Sequence, residues 1–134
     1  MATQPFDWSE YQKLADELAK RPEESCLRTA IGRAYYYVFH LARKRVEANG
    51  FFIVRGADTH KQVWEKYTGS LEFDCKKLGE IANRLKEKRQ RADYDEHYAR
   101  IADDLPAVLA AARDFAARIA RLNPRFPVNT GIRR

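Results

Sequence analysis

The sequence has few of the features that mark secreted, disulfide-bonded or membrane-spanning proteins. No stretch approaches the roughly 20 consecutive apolar residues that a membrane-spanning helix requires. The first residues lack the basic and then apolar pattern of a signal peptide. Only two of the 134 residues are cysteines, Cys26 and Cys75, which is too few for a disulfide scaffold. We therefore expect reduced thiols, a cytoplasmic location and no contact with a membrane.

Motifs for a metal or cofactor are also lacking. The three histidines are well separated, and neither a C-x-x-C pair nor an H-E-x-x-H motif occurs. There is no G-x-G-x-x-G or G-x-x-x-x-G-K-[ST] loop that would surround the phosphates of a nucleotide. These observations predict a protein with no metal site and no cofactor.

Glycine and proline are scarce, and the prolines lie only near the start, the joints and the end of the chain, which favours long helices. Apolar residues recur at helical spacing. The pattern predicts an all-α, up-and-down bundle of four main helices plus a short one. We expect a single domain over residues 1–123 and a basic, flexible tail over 124–134. Pro106 marks either the first turn of the last helix or a kink in a longer helix that begins near Glu96.

The fourth predicted helix, which starts at Ser70, carries a cation in its apolar stripe. The stripe consists of Leu71, Cys75, Leu78, Ala82 and Leu85. The next step of the same spacing falls on Arg89. Its guanidinium either reaches water or a carboxylate such as Asp93, or faces a cleft.

Arg89 belongs to a basic run over residues 84–91, which also includes Lys88 and Gln90 and carries five cations and one anion. Such a run is typical of a solvated helix face, and it also suits binding of phosphates. The net charge of +6 permits a polyanionic partner.

The second predicted helix has a polar stripe formed by Arg33, Tyr37, His40 and Lys44. These positions share one narrow helix face. Cations and aromatic rings together suit phosphate contacts and base stacking, and they equally suit a contact between helices or between subunits. Both interpretations stay open on the sequence alone.

The other two histidines have different interpretations. His60, at the start of the third helix, is interpreted as structural rather than catalytic. His97 follows Arg91 by six positions and Arg89 by eight. A turn at residues 92–95 would bring an imidazole and a guanidinium together, a pair that suits RNA cleavage without a metal.

Three segments resemble motifs of the HEPN superfamily, small all-α domains found in prokaryotic defence and toxin–antitoxin systems. Residues 31–40, IGRAYYYVFH, are similar to the S-R-A-Y-Y-x-x-F-H signature, with Gly32 at the serine position. Residues 59–64, THKQVW, resemble T-H-K-x-V, and residues 89–95, RQRADYD, resemble R-N-x-A-D-Y-D. The likeness extends over roughly 6–119.

The resemblance implies a homodimer with RNA or a nucleotide as ligand, and a nucleotidyltransferase-type antitoxin as a further partner. Many HEPN proteins are metal-independent endoribonucleases, and others bind without cutting. Arg89 takes the position of the motif arginine and Gln90 that of its polar neighbour. Tyr94 stands where cleaving members of one branch have histidine. In an alternative register, Arg91 and His97 form the pair.

Overall fold

The computed structural model describes residues 4–130, which form five α-helices and no β-strand. The helices are α1 (Ser9–Leu18), α2 (Glu24–Ala48), α3 (Thr59–Thr68), α4 (Phe73–Tyr94) and α5 (Ile101–Arg121). The all-α prediction is confirmed. The expected four main helices and one short helix need a correction, because α1 and α3 both have 10 residues while the other three have 21 to 25.

Local features of the chain mark the start of α1 and the end of α2. Asp7 Oδ1 accepts hydrogen bonds from the backbone N–H of Ser9 at 3.0 Å and from its hydroxyl at 2.7 Å, which ties the chain down where α1 starts. Asn49 follows the last turn of α2, and Gly50 has φ +89°. Glycine adopts this left-handed conformation without the steric cost that a Cβ brings, so the helix stops there.

Helix α2 is the centre of the fold and packs against each of the other four helices. Its buried face consists of Ala30, Ile31, Gly32, Ala34, Tyr35, Val38, Phe39, Ala42 and Val46. Within this core the Tyr67 hydroxyl of α3 donates to the Ala42 carbonyl at 2.8 Å. The bond satisfies a buried hydroxyl and fixes the position of α3 on α2.

The connection between α2 and α3, residues 49–58, is apolar in its first part, but only part of it is packed against the core. Ile53 is buried, whereas Phe52 is exposed. The side chain of Gln62 holds the loop: its Oε1 accepts from the Val54 N–H and its Nε2 donates to the Val54 carbonyl, both at 2.9 Å. The loop therefore has a defined path above the start of α3.

Helix α4 begins later than the apolar stripe suggests. It starts at Phe73, and Leu71, the first residue of the predicted stripe, precedes the helix and is 90% exposed. The remaining stripe residues are buried. Gly79 allows α4 to approach α3 closely, because a Cβ at this position would lie 2.7 Å from Thr68 Cγ2.

Neither interpretation of Pro106 is correct. Helix α5 starts at Ile101, so Pro106 lies in its second turn rather than at its start, and the helix does not reach back to Glu96. The missing N–H of Pro106 removes one bond near the helix start. Asp103 and Asp104 stand in the first turn, where carboxylates interact favourably with the helix dipole.

The expected flexible tail also needs correction over residues 124–128. Arg45 of α2 donates to the carbonyls of Ile119, Phe126 and Asn123 at 2.7, 3.0 and 3.3 Å. Pro127 is fully buried, and its carbonyl accepts from Asn49 at 3.2 Å. The packed chain thus extends past residue 123. Residues 131–134 of the predicted tail lie outside the described residues.

The hydrophobic core is one cluster that runs from Ala15 to Leu122. No helix formed by residues 4–130 is long and apolar enough to cross a membrane.

Candidate functional site

Arg89 lies on the inward side of α4, as its place in the stripe predicts, and its side chain is only 12% exposed. Its Nη1 donates to Asp93 Oδ2 at 3.2 Å. The guanidinium carbon lies 5.2 Å from the centre of the Tyr35 ring and 5.8 Å from that of Tyr36. Arg89 therefore has the carboxylate partner that the sequence suggested, and it also faces two aromatic rings of α2.

This environment keeps Arg89 charged. Burial opposes the charged form, but the hydrogen bond that Arg89 donates to Asp93 and the neighbouring Tyr36 and Tyr35 outweigh it, so the pKa of the guanidinium is raised. Its Nε is buried and has no hydrogen-bond partner.

A hydrogen-bonded chain lies beside Arg89 and links α2 to α3. Trp64 Nε1 donates to the Tyr35 hydroxyl at 3.0 Å, and this hydroxyl lies 2.7 Å from His60 Nδ1. Burial is the main cause that raises the Tyr35 pKa, although Trp64 and Arg89 act in the opposite direction. Tyr35 is fully buried, so its hydroxyl proton needs an acceptor, and His60 Nδ1 is in place to accept it.

His60 is consequently a neutral imidazole with its own proton on Nε2. Burial, and then the charges of Arg89 and Lys86, lower its pKa to about 4. Its ring stacks on Phe39 at 3.9 Å. The structure thus supports the structural role predicted for His60. The sequence contained one signal for this cluster: Tyr35 occupies a core position of α2, and a buried hydroxyl requires a partner.

Arg33 is the second arginine near this cluster. Its guanidinium carbon lies 4.5 Å from the centre of the Tyr11 ring and 5.3 Å from that of Tyr36. Its Nε is also buried without a hydrogen-bond partner. Tyr36 therefore has two guanidiniums near its ring, those of Arg33 and Arg89, an arrangement that cation–π attraction stabilises.

The rest of the polar stripe on α2 lies mostly against the start of the chain. The His40 ring stacks on Trp8 at 3.5 Å, and burial followed by the charge of Arg43 lowers its pKa to about 4. Tyr37 is half-buried, and its pKa is raised by burial and then by Asp7. These positions favour the helix-contact interpretation of the stripe, and only Lys44 is exposed.

The last turns of α4 place a different set of residues at the surface. Gln90, Arg91 and Tyr94 line a shallow groove of about 400 Å³ together with Glu87 and Asp95. Tyr94 is 76% exposed. An amide, a guanidinium and an exposed ring on one helix face can bind phosphate and stack against a base.

Lys88 does not belong to this groove. Its Nζ lies 3.3 Å from Asp104 Oδ2 of α5. The Tyr98 hydroxyl donates to the same carboxylate at 2.7 Å. Hydrogen bonds from Tyr98 and Lys88 lower the pKa of Asp104. The ion pair joins α4 to α5, so Lys88 is less available to an outside anion than its sequence position suggests.

His97 lies exposed in the connection between α4 and α5. Within residues 4–130 no hydrogen bond or ion pair joins it to Arg89 or Arg91. The end of α4 is instead fixed by Arg28 of α2, whose Nη1 donates to the Ala92 carbonyl at 2.9 Å. The turn after α4 therefore forms no direct hydrogen bond or ion pair between the two predicted catalytic groups within residues 4–130.

No group of three or more His, Cys, Asp or Glu side chains that could hold a metal ion occurs in the described part of the chain. Comparison of the sequence with protein-family models, with curated proteins and with solved structures found no match.

Proposed function

We propose that this chain is an HEPN-like domain that binds RNA and processes it by cleavage without a metal. In this proposal the bundle is up-and-down and dimeric, as in the family, and it acts in a cytoplasmic toxin–antitoxin or defence system. The observation that carries the proposal is Arg89, a charged arginine on the inward side of α4 next to the groove of Gln90, Arg91 and Tyr94.

The chemistry assigned to Arg89 is stabilisation of the crowded phosphate while a 2′-hydroxyl attacks it. To reach a phosphate, Arg89 must release Asp93. An i,i+4 ion pair with a half-exposed carboxylate is worth only about 0.5 kcal/mol. A phosphate dianion or diester can displace that carboxylate, because guanidinium groups bind phosphate oxygens strongly.

The second candidate is a non-catalytic module that binds RNA, a nucleotide or a nucleotidyltransferase partner. Two observations favour it. Tyr94 occupies the position at which the resemblance implies a catalytic histidine, and His97 makes no hydrogen bond to either arginine within the described residues. A protein of this kind would bind through Arg91 and Tyr94 and release its ligand unchanged.

The first experiment incubates the purified protein with mixed RNAs in EDTA and measures binding and cleavage separately. The proposal predicts cleavage that is lost in Arg89→Ala and reduced in His97→Ala. Arg91→Ala should weaken binding and lower its salt dependence by about one counterion. Lys76→Ala is the matched control for Arg91→Ala, since it removes an exposed cation about 22 Å from Arg91 along the same helix.

The outcome decides between the two candidates. Binding without cleavage, sensitive to Arg91→Ala but not to Lys76→Ala, would establish the module and refute the nuclease. In that case Tyr94→His tests whether the missing histidine is the cause, because the exposed position tolerates the exchange and cleavage should appear. If the protein neither binds nor cleaves RNA, the nuclease and the RNA-binding form of the module are both refuted.

A further inference from the structure

A second concave site shares no lining residue with the groove on α4. It is a cavity of about 460 Å³ between the start of α1, helix α2, the 49–58 loop and the start of α3. Its lining consists of Trp8, Phe39, His40, Arg43, Glu47, Ile53, Arg55, Gly56, Thr59 and His60. A volume of this size falls within the usual range for small-molecule sites.

Each of the two imidazoles in the cavity wall accepts a hydrogen bond at its Nδ1 atom. The Nδ1 atom of His60 accepts the proton of the buried Tyr35 hydroxyl, at 2.7 Å. In His40, Nδ1 accepts from Arg43 Nε at 3.3 Å, and a guanidinium can only donate. Each neutral ring therefore carries its proton on Nε2. Neither Nε2 has a hydrogen-bond partner among residues 4–130.

Two guanidiniums add further donors. Arg43 is held in place by Glu47, whose Oε1 lies 2.7 Å from Nη1, and by its bond to His40. The Nη2 atom of Arg43 takes part in neither bond. Arg55 is exposed in the loop, and its side chain makes no hydrogen bond or ion pair within the described residues. Glu47 is the one carboxylate in the lining, and Arg43 neutralises it.

The remaining wall is apolar and flat. The indole of Trp8 stacks on His40, and the ring of Phe39 stacks on His60 with an angle of 8° between the ring planes. Ile53 of the loop contributes an aliphatic side chain. The cavity thus combines ring faces with donors that have no acceptor of their own.

We propose that this cavity binds a small phosphorylated aromatic molecule, with the phosphate on Arg55 and Arg43 and the ring against Trp8, Phe39 and Ile53. Guanidiniums match the oxygen geometry of a phosphate monoester. The two imidazole Nε2–H groups donate to acceptor atoms of the ligand that lie closer to its aromatic ring than the phosphate does. The site is separate from the RNA surface of α4 and does not depend on the proposed function.

The test titrates the protein with phenyl phosphate, inorganic phosphate and phenol, by calorimetry and by fluorescence. A Trp64→Phe background leaves Trp8, which lines the cavity, as the single tryptophan. Phenyl phosphate should bind at least about tenfold more tightly than phenol, because phenol lacks the anion, and more tightly than inorganic phosphate, which lacks the ring. Arg55→Ala should weaken phenyl phosphate binding about tenfold or more and leave the fold intact, since its side chain has no partner in the described structure.

Two control variants make the result specific to the cavity. Lys61→Ala removes an exposed cation next to His60 in sequence that does not line the cavity, and it should leave binding unchanged. Arg91→Ala reports any phenyl phosphate that binds in the groove on α4, and it should not change the binding that Arg55→Ala weakens. Equal affinities for phenyl phosphate and phenol, or binding that Arg55→Ala spares and Arg91→Ala abolishes, would overturn the proposal. So would the absence of binding at about 10 mM ligand.

Discussion

Acidification should destabilise this fold through two histidines, His40 and His60. Both are half-buried neutral rings whose pKa lies at about 4, below the value of 6.5 expected in the unfolded chain. Burial is the largest cause for each, followed by nearby cations. As the pH falls below about 6.5, the unfolded chain takes up protons that the folded protein resists. The free energy of unfolding therefore decreases between about pH 6.5 and about pH 4.

The expected loss follows from the two pKa values. For one histidine with the full shift, linkage gives a loss of about 2 kcal/mol between about pH 7 and about pH 5. Both rings remain partly open to water, and solvent screening reduces this by about half. We expect about 2 kcal/mol for His40 and His60 together. For a chain of 134 residues this corresponds to a decrease in Tm of about 7 °C.

The assay is thermal unfolding followed by far-ultraviolet circular dichroism at constant ionic strength across this pH range. His40→Gln and His60→Gln should each remove about half of the decrease. His60→Gln should also lower stability at neutral pH, because the Tyr35 hydroxyl loses its acceptor at 2.7 Å. The pH dependence, rather than the absolute Tm, is therefore the relevant quantity. His97→Gln, at an exposed position, serves as the control.

A Tm that stays constant between about pH 7 and about pH 5 would refute the reasoning. The same holds if the double variant His40→Gln/His60→Gln keeps the whole decrease, because the acid sensitivity would then arise from other groups. Asp7 and Asp104 are such groups, but their lowered pKa values place their effect below about pH 4.

Three substitutions test the packing. Arg45→Met should lower the free energy of unfolding in urea by about 2 kcal/mol, because three carbonyls lose their donor. It should also make the segment after α5 more sensitive to protease. Unchanged protection of this segment would contradict its docking on α2. Tyr67→Phe should cost about 1–2 kcal/mol, since the Ala42 carbonyl stays buried without a donor. Gly79→Ala should lower the free energy of unfolding by about 1 kcal/mol, although alanine has a better helix propensity than glycine. Adding Thr68→Ser to this variant should restore the stability, because it removes the methyl group that clashes with the new Cβ. A stabilised Gly79→Ala protein would show that α3 moves away freely.

Local patterns were enough to predict the helices and the position of Arg89. Periodicity predicts which side of a helix is buried, and it correctly placed Cys75, Leu78 and Leu85 inside and Arg89 on the same side. The end of α2 was equally predictable, because Asn49 and Gly50 are a local stop signal.

Contacts between distant parts of the chain were not predictable in this way. Residues 124–128 look like a loose tail because they have no periodicity, yet Arg45, some 80 positions earlier in the sequence, binds their backbone. The end of α4 has a similar cause. It is fixed by Arg28, which belongs to another helix and binds the Ala92 carbonyl. The cavity lined by Arg55 and His60 depends on the path of the 49–58 loop, which the side chain of Gln62 holds in place.

The resemblance to the HEPN signature relates to folding more directly than to catalysis. Ile31, Tyr35 and Phe39 of the first segment are buried, and His60 and Trp64 of the second segment provide the hydrogen-bond partners of Tyr35. Packing accounts for these residues without any reaction, so a binding module would need them as much as a nuclease.

The third segment is different, because packing explains little of it. The side chains of Gln90, Arg91 and Tyr94 are exposed and form no hydrogen bond within residues 4–130. Exposed side chains of this kind contribute little to stability, so ligand binding rather than packing can determine which residue types occur at these positions. If the chain shares an activity with the proteins it resembles, that activity has to depend on these residues together with Arg89. Variants at these four positions therefore give more information about function than variants anywhere in the better matching first segment.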